Sequence, residues 1–195
     1  MIDRDMLRSG MITQTHSGEL GGNLVEYVLS PGLFPKDRCR WSHNGIVVYW
    51  RSDWWTIDAF PKKVRLTNMS EWDARLASNP EFRIEFLWPK GAIFTRGINA
   101  AEWVLCHGVG QDYPELTAAR LAVLKFWNTF PYRIRSGHQY EKWCTLWVRD
   151  GWKHAGCDWS KKASGSDKEN PTPKTVQNRI RDGVLEMKAH YGAEV

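Results

Sequence analysis

The chain has 195 residues, of which 42% are hydrophobic and 25% charged, and its formal net charge is +5. That length suits a single domain over residues 1–195 with enough chain to bury a real core, and the composition is that of a soluble globular protein. A membrane span is excluded because the longest apolar runs are strand-sized; the opening Met1-Ile2-Asp3-Arg4-Asp5 lacks the apolar core of a secretion signal, so a cytoplasmic protein is expected, released only by lysis or a partner.

In chain order, residues 7–13 read as a turn into a first strand. Residues 18–22 form a glycine-rich loop, 23–29 a strand or short helix, and 31–40 a loop with two prolines. The clearest strand is 41–50, where Val and Ile follow Gly45. A turn at Arg51-Ser52-Asp53 leads to a second strand over 54–60, so the pair reads as a hairpin, and 64–66 adds a short strand. Ser70 is the expected N-cap of a helix over 71–77 that closes at Asn79-Pro80. Phe82, Ile84, Phe86 and Trp88 alternate with Arg83 and Glu85, the period of a strand. Asn99 is placed to cap a helix through Leu105, and 114–127 has helical spacing in Leu116, Ala119, Val123 and Phe126. A helix over 143–155 stops at Gly156. Residues 161–173 read as a polar surface loop. Thr172-Pro173 then opens a C-terminal helix with Val176, Ile180, Val184 and Met187 on one face. Strands and segregated helices together argue an α+β fold.

The positive residues are dispersed, apart from Arg133, Arg135 and the pair Lys161-Lys162, so nucleic acid is not the expected partner. Twelve tryptophans are a heavier bias; most suit core or cleft walls, and a few suit stacking on a sugar or another planar substrate. Cys39, Cys106, Cys144 and Cys157 contain no Cys-x-x-Cys pair, so neither a structural metal site nor a cofactor is expected, and in a reducing compartment all four are free thiols. No phosphate-binding Gly-x-x-x-x-Gly-Lys loop or His-Glu-x-x-His zinc pair occurs.

Cys144 opens a helix that carries Trp147, Val148, Gly151 and Ala155 on its own side. Those residues would pin the helix to a sheet. The helix N-terminus favours the thiolate, the form that attacks. A lone cysteine is more often a buried structural residue, so a base is needed to make the case. His43 supplies one at the head of a strand, where its side chain is held at a fixed height. Asp58, on the next strand of the hairpin, sits in an apolar run where a carboxylate needs a reason. It can orient the imidazole through its second nitrogen. Each of the two also has a bland reading, as a histidine at a strand edge and an aspartate bonded to a loop. Other pairings do worse: Cys106 and His107 are adjacent on a helix and diverge, Cys39 and His138 lie in loops, and nothing compels His16 toward a cleft.

These residues resemble a known family. Trp41-Ser42-His43-Asn44-Gly45-Ile46-Val47-Val48 is similar to the Ser-His-x-Gly-Ile-Val strand of NlpC-type papain-like proteins, in the circularly permuted branch that includes the YiiX/YaeF-like group. Leu7-Arg8-Ser9-Gly10-Met11-Ile12 resembles that branch's opening, with Met11 in place of Asp. Thr56-Ile57-Asp58-Ala59 falls at its third polar residue, and Gly110-Gln111-Asp112-Tyr113 at a Gly-x-x-Tyr element. Trp143-Cys144-Thr145-Leu146-Trp147-Val148 falls at the nucleophile segment, and Pro171-Thr172-Pro173 at a late Thr-Pro. The likeness touches nearly the whole chain in order, but only the His-x-Gly-Ile-Val strand is distinctive. Thr145-Leu146 replaces the usual Ser-Glu and removes a polar group beside the nucleophile.

The resemblance implies a small antiparallel sheet packed on the nucleophile helix and a triad of Cys144, His43 and Asp58. It also implies thiolate attack, an acyl-enzyme, then hydrolysis or transfer. The substrates implied are peptide or amide bonds, including those of peptidoglycan peptides, or else lipid acyl groups. The competing expectation is a binding module that kept the fold without the chemistry.

Overall fold

The computed structural model describes residues 1–17, 41, 43–59, 62–113, 144–160 and 173–192. The elements expected over 18–22, 23–29, 31–40, 114–127 and 161–172, together with Cys39, Arg133, Arg135, His138 and Trp143, lie outside the described residues.

The elements are β1 (Ile12–His16), β2 (His43–Trp50), β3 (Asp53–Ala59), β4 (Lys62–Asn68), α1 (Met69–Ser78), β5 (Arg83–Pro89), α2 (Phe94–Gly108), β6 (Asp112–Tyr113), α3 (Cys144–His154), α4 (Pro173–Arg181) and β7 (Leu185–Gly192). The strands form one sheet in the order β6-β4-β3-β2-β1-β5-β7. Every neighbouring pair is antiparallel. The fold is therefore α+β, as the mix of strands and segregated helices implied.

Side chains alternate across the pleat, so each strand feeds two cores. Ile12, Ile46, Val48, Ile57 and Leu87 pack with Val104 of α2 and with Trp147, Val148 and Trp152 of α3. Val47, Ile84 and Phe86 pack on the other face with Leu7, Met69, Trp72 and Phe82. Helices α2 and α3 thus cover one face, while α1 and the N-terminal segment cover the other. The two helices on the first face approach closely at Gly151, where an added Cβ would lie 2.6 Å from Val104 and 2.7 Å from the Ala100 carbonyl.

One row across the sheet is wholly aliphatic, with Leu66, Ile57, Ile46, Ile12 and Leu87 in register. Two residues along, toward the start of β2, the row becomes polar: Asn44, Gln14, Glu85 and His190 are direct cross-strand neighbours. Helix α3 packs over the aliphatic row and begins, at Cys144, where the row turns polar.

Several boundaries differ from the sequence expectation. Helix α1 is capped by Asn68, not Ser70: the Asn68 side chain accepts from the Ser70 backbone, and Glu71 reaches back to the Asn68 N–H in a capping box. Helix α2 begins at Phe94, so Asn99 is interior. Its N-cap is Ile93, which makes no side-chain capping bond and leaves no polar signal to read. The C-terminal helix is shorter than expected. It ends in a Schellman turn at Gly183 (φ +71°), where Val184 N–H reaches the Arg179 carbonyl. Met187 then lies half-exposed on β7, which pairs with β5. That strand was not expected at all. The end of α3 at Gly156 (φ +79°) follows the same turn and matches the expectation.

Candidate active site

The hairpin of β2 and β3 builds half of the site. Asp58 stands directly opposite Gly45. It is fully buried, and its Oδ1 lies 3.1 Å from His43 Nε2. Gly45 makes that arrangement possible, since a Cβ there would sit 2.3 Å from Asp58 Oδ1 and 2.8 Å from Thr13 Oγ1. The second carboxylate oxygen accepts from the Thr56 hydroxyl, and Thr56 Oγ1 in turn accepts from the Trp72 indole N–H at 2.7 Å.

Helix α3 brings the other half. Cys144 is its first residue and is buried. Thr145 next to it is fully buried and donates to Asn44 Oδ1 at 2.8 Å, which ties the helix start to β2 beside His43. Thr145, where the resembled family has Ser, therefore keeps a hydroxyl beside Cys144, 3.8 Å from the sulfur. The pleat puts Gly45 and Asp58 on the α1 face, whereas Cys144 belongs to the core on the α3 face. His43, at the very start of β2, meets both at the end of the sheet: it is hydrogen-bonded to Asp58 and to Cys144.

The electrostatics follow from these contacts. Burial pushes the Cys144 thiol up. The positive charge of His43 and the hydrogen bonds from His43 and the Asn44 backbone N–H, with the Thr145 hydroxyl beside the sulfur, together outweigh this, and the thiol falls below its usual value near 9.0. For His43, burial opposes protonation. The charge of Cys144 and the hydrogen bonds to Asp58 and Cys144 overcome it and raise the imidazole from 6.5 to about 10. Each partner's charge thus favours the other's, with Nε2 held by Asp58 and Nδ1 the nitrogen left for the sulfur.

The structure thus brings together Cys144, His43 and Asp58. The remaining candidates do other things. Cys106 and His107 are exposed on α2, and His107 binds the Trp103 carbonyl and stacks on its ring. His154 stacks on Trp103 as well, and the backbone N–H of Cys157 caps α3. His16 is buried in β1 opposite Arg83. Sequence reading missed Asn44, Thr145, Thr56 and Trp72. It also missed the polar row, in which Gln14 Nε2 donates to the Pro173 carbonyl while its Oε1 has no partner among the described residues. In that row Glu85 binds His190 at 3.2 Å, and burial first of all pushes the Glu85 carboxyl up. The one available signal was the pleat: Thr56 stands two residues before Asp58 on the same face.

No protein-family model matches the sequence, and no curated protein matches it. The fold is similar to that of the crystal structure of the metalloprotein YiiX from Escherichia coli O157:H7, described as DUF1105. The TM-score is 0.58 and the identity 14%, over 96% of this chain and 99% of that one. The sequence resemblance to the YiiX-like group therefore reaches the fold. The metal belongs to that protein's description and bears on the expectation of none here. Among the described residues, no group of three or more His, Cys, Asp and Glu side chains is placed to hold a metal ion. Cys144 and Asp58 engage His43 from opposite sides of its ring, so the three side chains do not converge on one point between them. Among the described residues, no helix is long and apolar enough to cross a membrane.

Proposed function

We propose that this protein is a cysteine hydrolase with a circularly permuted papain-like, NlpC-type fold over the whole chain. Cys144 is its nucleophile, His43 its general acid and base, and Asp58 the residue that orients His43. The observation that supports this best is the position of His43, hydrogen-bonded on one side to a buried carboxylate and on the other to a thiol at a helix start. The thiolate attacks a carbonyl carbon. The imidazolium gives its Nδ1 proton to the leaving amine, and an acyl-thioester remains on Cys144. Neutral His43 then takes a proton from water, the hydroxide attacks the thioester, and the acid leaves with the thiolate restored. Asp58 keeps the Nε2 proton in place throughout and thereby presents Nδ1 to the reacting atoms.

The substrate class we favour is an amide or peptide, with peptidoglycan peptides foremost. The test is to incubate the protein with soluble peptidoglycan fragments and, separately, with phospholipid vesicles, then to follow products and the intact protein mass. The expected result is cleaved peptide and a transient acyl mass on Cys144, both absent in Cys144→Ala. Acyl transfer from lipid alone would replace the substrate class but keep the triad. No acyl mass on Cys144 from either source would end the hydrolase reading.

A further inference from the structure

The hydrogen bonds behind Asp58 run in a fixed direction, and the direction is set by a residue far from the thiol. An indole N–H can only donate. Trp72 is fully buried in α1, stacked on Phe82 with ring centroids 5.6 Å apart, and its N–H points to Thr56 Oγ1 at 2.7 Å. Thr56 Oγ1, with one lone pair engaged by Trp72, turns its own proton toward Asp58 Oδ2. The alternative acceptor, the Thr67 carbonyl, is at 3.5 Å. Asp58 must then accept at Oδ2, and its Oδ1 accepts from His43 Nε2.

From this geometry we infer that Trp72 and Thr56 are positioning residues for the site: Trp72 donates to Thr56 and Thr56 donates to Asp58, a relay that anchors the carboxylate so that its Oδ1 accepts from His43 Nε2 and Nδ1 is left for Cys144. The inference rests on the triad reading and deepens it. A threonine hydroxyl rotates, and without a donor behind it nothing in β3 alone decides which way its proton lies. The indole removes that freedom. Buried, fully partnered networks of this kind hold one arrangement where a partly satisfied one would not.

The test uses the full chain and three variants, Thr56→Val, Thr56→Ser and Trp72→Phe. The readouts are the pH profile of Cys144 alkylation by iodoacetamide, located by mass spectrometry, and the ¹⁵N NMR shifts of the His43 ring. Thr56→Val keeps the shape and removes the hydroxyl. It is expected to lower the rate at pH 6 on the order of tenfold, by the loss of one charge-assisted hydrogen bond, and to move the profile toward higher pH. Thr56→Ser should restore the wild-type profile. Trp72→Phe should shift the profile the same way by less and weaken the Nε2–H signature. In an Asp58→Ala background, Thr56→Val should change nothing further. A Thr56→Val profile equal to wild type, or an effect that persists without Asp58, overturns the relay. The triad is judged separately, by the wild-type protein: if wild-type Cys144 has no acid-side reactivity, the triad reading itself fails.

Discussion

Gly45→Ala should disable the site through a single methyl group that never touches the sulfur. The new Cβ would lie 2.3 Å from Asp58 Oδ1, 2.8 Å from Thr13 Oγ1 and 3.0 Å from the Ile57 carbonyl. The carbonyl belongs to the paired backbone of β3 and cannot move away, so the carboxylate must. To reach ordinary van der Waals contact Oδ1 has to shift by about 1 Å, the gap between 2.3 and 3.4 Å. That shift breaks its bond to His43 Nε2, now 3.1 Å. A hydrogen bond to a charged group is worth about 1.5–3 kcal/mol. Its loss therefore reduces the ion-paired thiolate by roughly 10- to 150-fold. Overpacking costs a further ~1–3 kcal/mol of stability. The assay is the second-order rate of Cys144 modification at pH 6, read by peptide mass mapping, beside a thermal melt. Adding Gly45→Ala to Asp58→Ala should cost little more reactivity, because the methyl then enters vacated space. A Gly45→Ala protein that reacts within about twofold of wild type would refute the reasoning, since a loss below 0.5 kcal/mol means the carboxylate did not have to move.

At pH 6 Cys144 should react faster than Cys106 and Cys157. The Cys144 thiol is lowered by His43, so its thiolate persists as pH falls below the thiol range, while burial pushes the Cys157 thiol up and delays it to higher pH. His43→Ala should remove part of the advantage, because the helix start and the Asn44 N–H remain, and equal rates in wild type would contradict it. The same profile should bend again near 10, where His43 gives up the proton it holds through the neutral range, and that bend should vanish in His43→Ala. Thr145→Val should lower the melting temperature by several degrees, because it strands the fully buried Asn44 Oδ1 at a cost of about 1–3 kcal/mol; an unchanged melt would show that water reaches that atom. Ser52→Gly should stabilise by roughly 1 kcal/mol, since Arg51 and Ser52 occupy the two positive-φ positions of the β2–β3 turn (φ +51° and +64°) that glycine adopts without strain; denaturant unfolding midpoints would test it, and a lower midpoint would contradict it.

The hairpin was legible because its chemistry is local. His43, Gly45 and Asp58 lie on two consecutive strands, and the turn between them fixes their register. Cys144 was legible because the signals of its helix, an apolar stripe and a stopping glycine, are local too. Strand β7 was not. Val176, Ile180 and Val184 continue a helical spacing into Met187, and only the Asp182-Gly183 turn interrupts it. Pairing with β5 makes it a strand, and a bulge at Phe86/Leu87 accommodates Lys188 as an extra residue. No local pattern carries that information. Thr56 and Trp72 were missed for a related reason. Their hydrogen bond joins a strand to the helix packed over it, and in sequence each reads as an ordinary β-former and an ordinary core aromatic. Asn44 looked like a spacer within His-x-Gly until Thr145 was seen to donate to it.

The two halves of the site also differ in when they can form. His43 and Asp58 are separated by 15 positions and meet within a single hairpin, whereas the bond from Thr145 to Asn44 spans 101. Short loops close early and at small entropic cost; long ones wait for the rest of the chain. On a ribosome, the base and its carboxylate emerge and can pair long before residue 144 is made. The contact that lowers the Cys144 thiol then exists only once α3 docks beside β2. Activation of the thiol thus waits on a long-range contact, and a chain that ends before α3 carries a histidine with nothing to activate.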